Sequence, residues 1–273
     1  MSKQLIPAQR REMIREYVAS HQIIRSVDLS QLLAVSEATV RRDLEVLESQ
    51  GVLERTHGGA ILSHHLQGEP AYSHSAQVHA EEKRRIGAAA ASLVEEGDVI
   101  FVDSGTTATQ VIHHLNPSMR LTVITNNVRA AIDMQESGIE VILLGGVLRP
   151  RANSTVGPFA LDALSHVYAD KTFLGVDGLS LKYGCTVPVD SEAQVMRSMV
   201  ERTRGPVVIV ADHSKWRVAS NYEVASLDQV HCLVTDDGFD LLARAELEAR
   251  SVRVIVAEAA AEAGDEPPPV HAA

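Results

Sequence analysis

The chain has 273 residues, 45% hydrophobic and 22% charged, with a formal net charge of −11 at pH 7. That length suits one large domain or two ordinary ones, and the composition excludes a disordered or fibrous chain. No apolar run approaches the roughly 20 residues of a membrane span, and MSKQLIPAQRREM carries no signal-peptide hydrophobic stretch, so a cytoplasmic protein without a membrane partner is expected.

Pro7 to Ser20 is predicted as a helix, with proline in a permitted first-turn position and Ile14, Tyr17 and Val18 on the buried face. Ile23-Ile24-Arg25 reads as a short strand that pairs with a later hairpin. Ser26 is expected to cap a second helix that turns Leu29, Leu32 and Leu33 inward, and Ala34-Val35-Ser36 is the turn into a third. Ser36 suits the third helix's N-cap, and Val40, Leu44 and Leu47 bury one of its faces. The opposite face presents Glu37, Thr39, Arg41, Arg42 and Glu45. Gly51 stops that helix, Val52 to Arg55 is β-prone, and His57-Gly58-Gly59 makes a tight turn.

Helix, stop and basic hairpin outline a winged helix-turn-helix. Thr39, Arg41 and Arg42 fit a major groove, where arginine bonds phosphates or guanine O6 and N7. Arg55 and His57 on the hairpin reach toward adjacent backbone or minor groove. The plain alternative is that Arg41-Arg42 solvates an exposed helix face. Residues 1–62 hold 8 Lys+Arg and 8 Asp+Glu, so the whole net charge of −11 belongs to the remainder. A locally basic face on an acidic body predicts site-specific rather than promiscuous DNA binding.

Val35 to Gly59, VSEATVRRDLEVLESQGVLERTHGG, closely resembles the N-terminal signature of the DeoR family of bacterial transcriptional regulators. The resemblance continues to about Glu258. It implies that the Arg-Arg-Asp lies on a recognition helix and that the His-Gly-Gly closes the wing. Ser36, Glu37, Thr39, Arg41, Arg42, Arg55, His57 and Gly58 are then the candidate contacts to a double-stranded operator.

Residues 63–80, SHHLQGEPAYSHSAQVHA, are polar with little periodicity and read as a linker between residues 1–62 and 81–258. Its histidines, His64, His65 and His74 among them, have no cysteine or carboxylate cluster beside them, so no metal is expected. Relatives in the family usually carry arginine where this chain has Ser75, which leaves any interdomain contact of that arginine without its donor.

From Glu81 helix and strand alternate. Strands are predicted at 99–102, 121–125, 139–144, 171–176, 206–211, 231–235 and 252–257. Helices are predicted at 81–94, 107–115, 127–136, 158–167, 191–202 and 239–249. Apolar strands between amphipathic helices argue for a largely parallel sheet covered on both faces. The predicted fold class is therefore α/β, a winged helix-turn-helix domain followed by a parallel α/β domain. Cys185 and Cys232, the two cysteines, are expected to be reduced and partly buried. The Ala/Pro-rich tail, 259–273, is expected to be disordered.

In an open α/β sheet, ligands lie off the carboxyl ends of the strands. Four loops qualify. Asp103-Ser104-Gly105-Thr106-Thr107 offers hydroxyls and N–H groups at a helix start, which suits a phosphate, although an ordinary strand-to-helix turn has the same composition. Thr125-Asn126-Asn127 supplies hydrogen-bonding side chains. Gly145-Gly146 with Arg149 permits close approach and an anion clamp, and Gly175-Val176-Asp177-Gly178 places an acid suited to sugar hydroxyls. Asp190 and Glu192 open a later helix, and Asp212, Ser214 and Lys215 follow another strand. This mixture points to a phosphorylated sugar or polyol, with no cofactor.

The motifs DSGTT, TNN, GGVLRPR, GVDG and ADHSK are similar to those of the DeoR effector domain, whose fold is related to ribose-5-phosphate isomerase and which typically senses a sugar phosphate. The resemblance implies a phosphate cradle at Gly105, Thr106 and Thr107, with Asn126, Arg149, Asp177, Glu192 and Lys215 nearby. It also implies repression. The family commonly has lysine in a pattern E-A-x-V-K-R-x-M, whereas Glu192 to Met199 reads EAQVMRSM, so Met196 replaces a cation.

Three readings remain distinct. The first, favoured here, is a repressor of a carbohydrate-utilisation operon, released by a phosphorylated sugar and acting as a homodimer or homotetramer because one helix covers only a half-site. The second is an isomerase-like enzyme with a DNA-binding head. Its D-G-x-D acid pair is broken here by Ser180, so no catalytic residue is assigned. The third is a DNA-binding protein with no effector.

Overall fold

The computed structural model describes residues 6–21, 23–49, 53–56, 58–62 and 71–259. The expectations for Gly51, Val52, His57, His64, His65 and all of the tail but Ala259 fall outside these residues. So do the side chains of Val18 and Arg55.

The N-terminal unit runs α1 (Pro7–His21), β1 (Ile23–Arg25), α2 (Ser26–Leu33), α3 (Glu37–Ser49), β2 (Leu53–Thr56), β3 (Gly59–Leu62). Its antiparallel sheet has the order β1-β3-β2, so the strand before α2 does pair with the wing. Ile14, Leu29, Leu33, Val40, Leu44, Leu47 and Leu53 close into one small core. The cap of α3 is as expected, with the Thr39 N–H donating to Ser36 Oγ at 3.3 Å. The cap of α2 is not. Ser26 is the first helical residue, no side chain caps the helix, and the Ser26 N–H instead donates to the Gly58 carbonyl at 2.9 Å. A wing turn thus satisfies an N–H that a lone helix would leave open.

Gly59 makes this possible by close approach. A Cβ built there falls 1.8 Å from the Ile24 carbonyl oxygen, whereas one at Gly58 meets nothing within 4 Å. Gly59→Ala is expected to cost about 3 kcal/mol or more by forcing β3 off β1. Hydrogen exchange in β1–β3 should quicken by about 100-fold, while Gly58→Ala leaves it unchanged. Equal exchange in the two variants would contradict this packing.

The second unit comprises α4 (Tyr72–Gln77), α5 (Ala80–Ala91), β4 (Val99–Val102), α6 (Thr106–His113), β5 (Thr122–Thr125), α7 (Val128–Asp133), β6 (Glu140–Leu143), β7 (Val147–Arg149), β8 (Ser154–Val156), α8 (Pro158–Ser165), β9 (Lys171–Gly175), β10 (Gly178–Ser180), β11 (Gly184–Val187), α9 (Asp190–Glu201), β12 (Val207–Val210), β13 (Tyr222–Ala225), β14 (Cys232–Asp236), α10 (Leu241–Glu248) and β15 (Arg253–Ala257), with 3-10 turns at His213–Lys215 and Leu227–Gln229. Seven strands form one sheet, β15-β14-β12-β9-β4-β5-β6, and every pairing in it is parallel.

Alternation along the strands feeds a core on each face. Ile100 and Val102 join Ile86, Val111 and Phe173 on one side. Phe101 joins Leu174, Ile209, Met199 and Trp216 on the other. Both cysteines are free and buried, and burial pushes their thiols up to about 12 at Cys185 and about 11 at Cys232.

Three elements had no counterpart in the sequence reading. They are the β7–β8 hairpin, the small antiparallel sheet β10-β11-β13, and α4, which lies within the stretch read as linker. α4 buries no residue and is held by polar bonds, including the Tyr72 N–H to the Arg151 carbonyl at 2.8 Å.

Candidate functional site

Two surfaces carry chemistry. On α3, Val40, Leu44 and Leu47 are buried, while Glu37, Arg41, Arg42 and Glu45 are exposed and Thr39 is half-buried. Arg41 Nη2 lies 3.7 Å from Glu37 Oε2, an exposed pair of little strength that a phosphate can displace. Ser36 and Thr39 share a hydroxyl bond of 2.9 Å at the helix start, and Gly58 is exposed at the wing turn. Asp43 serves inward. Its carboxylate accepts from Arg10 Nε at 2.8 Å and lies 3.9 Å from Arg11, so these arginines tie α1 to α3 instead of widening the basic face.

The other surface is a pocket. Strands β4, β5 and β6 run to one side of the sheet and β9, β12, β14 and β15 to the other, which makes the β4/β9 junction a topological switch point. A cavity opens at their carboxyl ends, lined by Asp103, Ser104, Gly105, Thr106 and Thr107 from the first loop, with Asn126, Asp177, Glu192, Met196 and Lys215 around it.

Asp103 is a latch. Its Oδ2 accepts the Gly105 N–H at 2.9 Å and its Oδ1 the Gly175 N–H at 2.8 Å, joining the ends of β4 and β9. Burial pushes this carboxyl from an ordinary 3.8 up to about 7, the two N–H groups pull it down, and the Asp177 charge pushes it up further. The folded chain thus keeps a proton that the unfolded chain releases. Stability should fall as pH climbs from 3.8 toward about 7 and level off above. Urea unfolding of the wild type and Asp103→Asn at pH 5 and pH 8 checks the sign. The wild type is expected to lose ground to the variant as pH rises, and a constant difference would contradict it.

Asn126 is buried, with Nδ2 donating to the Thr155 carbonyl at 3.2 Å and Oδ1 without a hydrogen-bond partner. Asn127 instead caps α7 and donates to Thr109 Oγ1 at 2.8 Å. Asp212 Oδ1 accepts from Ser214, leaving Oδ2 without a partner. Burial acts to raise the Asp212 carboxyl, but Lys215, the Ser214 bond and Lys83 outweigh it and hold the group below the usual carboxylate range.

One expected loop differs. Gly145 and Gly146 are exposed and outside the cavity lining, because they form the turn into the β7–β8 hairpin. Arg149 is ion-paired with Glu192, whose Oε1 also accepts from Ser154 Oγ at 3.3 Å. Its charge is already answered by a carboxylate, so it is not an open anion clamp.

The sequence reading missed Tyr72, Ser75 and Lys83, which also line the cavity. Lys83 is buried, and its Nζ donates to the Ser75 and Val78 carbonyls at 2.6 Å and 2.8 Å. Burial lowers its ammonium below the usual lysine range, Asp212 opposes that, and Lys215 adds to it. A signal was present, since Lys83 continues the stripe of Ile86 and Ala90, where an apolar residue belongs. Tyr72 Oη donates to Thr109 Oγ1 at 2.9 Å, fastening α4 to the helix that opens at Gly105-Thr106. Lys83 is thus a cation of the cavity lining besides Lys215, while Met196 contributes none.

Residues 10–65 match the DeoR-like helix-turn-helix domain, and residues 78–237 match the DeoR C terminal sensor domain. The chain is 36% identical to the HTH-type transcriptional regulator GlpR of Haloferax volcanii over 92% of this chain and 98% of that protein. It is 37% identical to the HTH-type transcriptional repressor GlcR of Bacillus subtilis over 82% of this chain and 86% of that one. Among solved structures, ribose 5-phosphate isomerase A from Methanocaldococcus jannaschii aligns with 50% of this chain and 55% of its own at 17% identity, with a TM-score of 0.37. A likeness of that size carries no argument about function.

Proposed function

The chain belongs to the DeoR family of DNA-binding transcriptional regulators, and from that premise we propose that it represses a carbohydrate-utilisation operon and leaves its operator when a phosphorylated sugar or polyol binds. On this reading residues 1–62 hold the operator, and 81–258, joined by Tyr72 and Ser75 from the connecting stretch 63–80, hold the effector. The observation that carries it is one cavity furnished for both ends of such a ligand. Gly105-Thr106-Thr107 at the start of α6, with Lys83 and Lys215, suits an anion. Asn126 Oδ1, Asp177 and Glu192 are acceptors for hydroxyls.

The chain is a regulator and not an enzyme, as its relatives are. The residues agree, since Ser180, at the position of an isomerase's second acid, caps the turn at the Tyr183 N–H and Met196 offers no charge. No helix among the described residues is long and apolar enough to cross a membrane, and the proposed site of action is the cytoplasm.

Release requires that the effector bind the DNA-incompetent state more tightly. Fluorescence anisotropy on DNA from upstream of the chain's own gene, with phosphorylated and unphosphorylated sugars titrated in, tests this. Release by a phosphosugar and not by its unphosphorylated parent is the expected result. Tight DNA binding indifferent to every sugar would overturn the effector assignment.

Met196 is buried in the wall of the same cavity as Glu192. Met196→Lys is expected to shift phosphosugar affinity by at least about twofold, the lower end of coupling between groups in contact. Unchanged affinity and selectivity in calorimetric titration would remove Met196 from the specificity set.

A further inference from the structure

Strand β6 ends the seven-stranded sheet, and its outer backbone edge has no partner among the described residues. A parallel sheet is ordinarily covered on both faces. Here consecutive residues, which point to opposite faces, are both open: Ile142 and Leu143 are each 42% exposed. The chain then turns back with Val147 at 61% and Leu148 at 54% exposure. The segment Val141 to Leu148, VILLGGVL, contains no charge and no proline, the usual devices that keep an edge from pairing. Both edge strands open on an exposed charge, Glu140 in β6 and Arg253 in β15, but the edges differ in burial, since β15 buries Val254 and Ala257.

We propose that β6 and the adjoining β7 form the self-association surface, on which a second copy of this chain pairs β6 with β6 about a two-fold axis. A partner for this edge must supply both backbone hydrogen bonds and apolar contact, and another β6 supplies both in self-complementary form. Ile142, Leu143, Val147 and Leu148, with the half-exposed Ile132 on the neighbouring α7, leave a few hundred Å² of apolar surface, the scale that marks an interface. A stable dimer covers about 800 Å² per partner, so the β6 backbone and the polar residues around it would have to supply the rest. The chain's own C-terminal residues are a poor occupant, because they leave from β15 at the far edge and carry Pro267, Pro268 and Pro269.

Sedimentation equilibrium of the full chain, without DNA or ligand, tests this independently of the regulatory reading. The wild type is expected to be dimeric or larger at micromolar concentration. Ile142→Lys with Leu143→Lys should raise the dissociation constant at least 100-fold and yield single chains of 29.5 kDa. Because both side chains are already exposed, the single chains should keep the wild type's secondary structure by circular dichroism, and any fall in thermal midpoint should be no more than the lost association accounts for. Leu241→Lys with Leu242→Lys, at the other strongly exposed apolar pair, should leave the mass unchanged. An unchanged mass in the β6 variant overturns the proposal, as does dissociation in the α10 variant. So does a wild type that is monomeric, or that dimerises only when residues 260–273 are deleted, which would give the edge to the chain's own tail.

Discussion

Replacing Arg41 and Arg42 together with alanine is expected to weaken operator binding by about 100-fold or more, with no change in thermal midpoint. Both side chains are exposed, and the core beneath them rests on Val40, Leu44 and Leu47, which the change does not touch. An arginine bonded to a base edge contributes about 1–3 kcal/mol, and one on phosphate also sets the salt slope. The N-terminal unit has no net charge, so few other cations can compensate. Fluorescence anisotropy across a salt series separates the two roles. A reduced slope marks lost phosphate contacts, and an unchanged slope with relaxed sequence preference marks lost base contacts. Affinity equal to the wild type's would return these arginines to mere solvation of the helix.

Lys83→Met should abolish the response to anions and lower the stability of the second unit. The two carbonyls of Ser75 and Val78 lose their donor, at about 1–3 kcal/mol for each buried group left unsatisfied. Asp212 loses a nearby positive charge that now helps keep it ionised. Calorimetric titration with inorganic phosphate is expected to show at least tenfold weaker binding, and thermal melts should fall by several degrees. Hydrogen exchange in α4 should accelerate, because that helix buries no side chain of its own and relies on such bonds. Wild-type phosphate binding in this variant would confine Lys83 to holding the chain together.

The seven strands were readable because each is a run of four or five residues, mostly apolar, between turn signals, and the structure shifts their ends by at most one residue. The N-terminal unit was readable from period and capping, apart from Ser26, where a tertiary carbonyl took over the cap, and Leu32, expected inward but 49% exposed because Leu29 and Leu33 make the buried stripe of α2. What escaped had no periodicity to show. Strands β7 and β8 have three residues each and sit in a segment rich in glycine, proline and arginine, which reads as loop. α4 escaped because a helix without a buried face leaves no stripe. At the pocket, Gly105-Thr106-Thr107, Asn126, Asp177, Glu192 and Lys215 were visible from their places after strands, and they do converge. The pairing of Arg149 with Glu192 was not visible, because it joins residues 43 apart through the hairpin.

One contact deep in the second unit decides how stiffly its parts are joined. A Cβ at Gly87 would lie 2.3 Å from Gln110 Cβ and 2.7 Å from the Gln110 carbonyl oxygen, so α5 rests against α6 almost backbone to backbone. Two rods in such contact have no backlash. Were an anion at its first turn to tilt α6, the movement would arrive at α5 with nothing lost to side-chain slack. One helical turn before Gly87, α5 carries Lys83, the bolt on α4, which is the first described segment after the DNA-binding unit. On the proposed function, a signal from pocket to head would need no relay of rotamer changes, only a lever whose fulcrum is a missing methyl group.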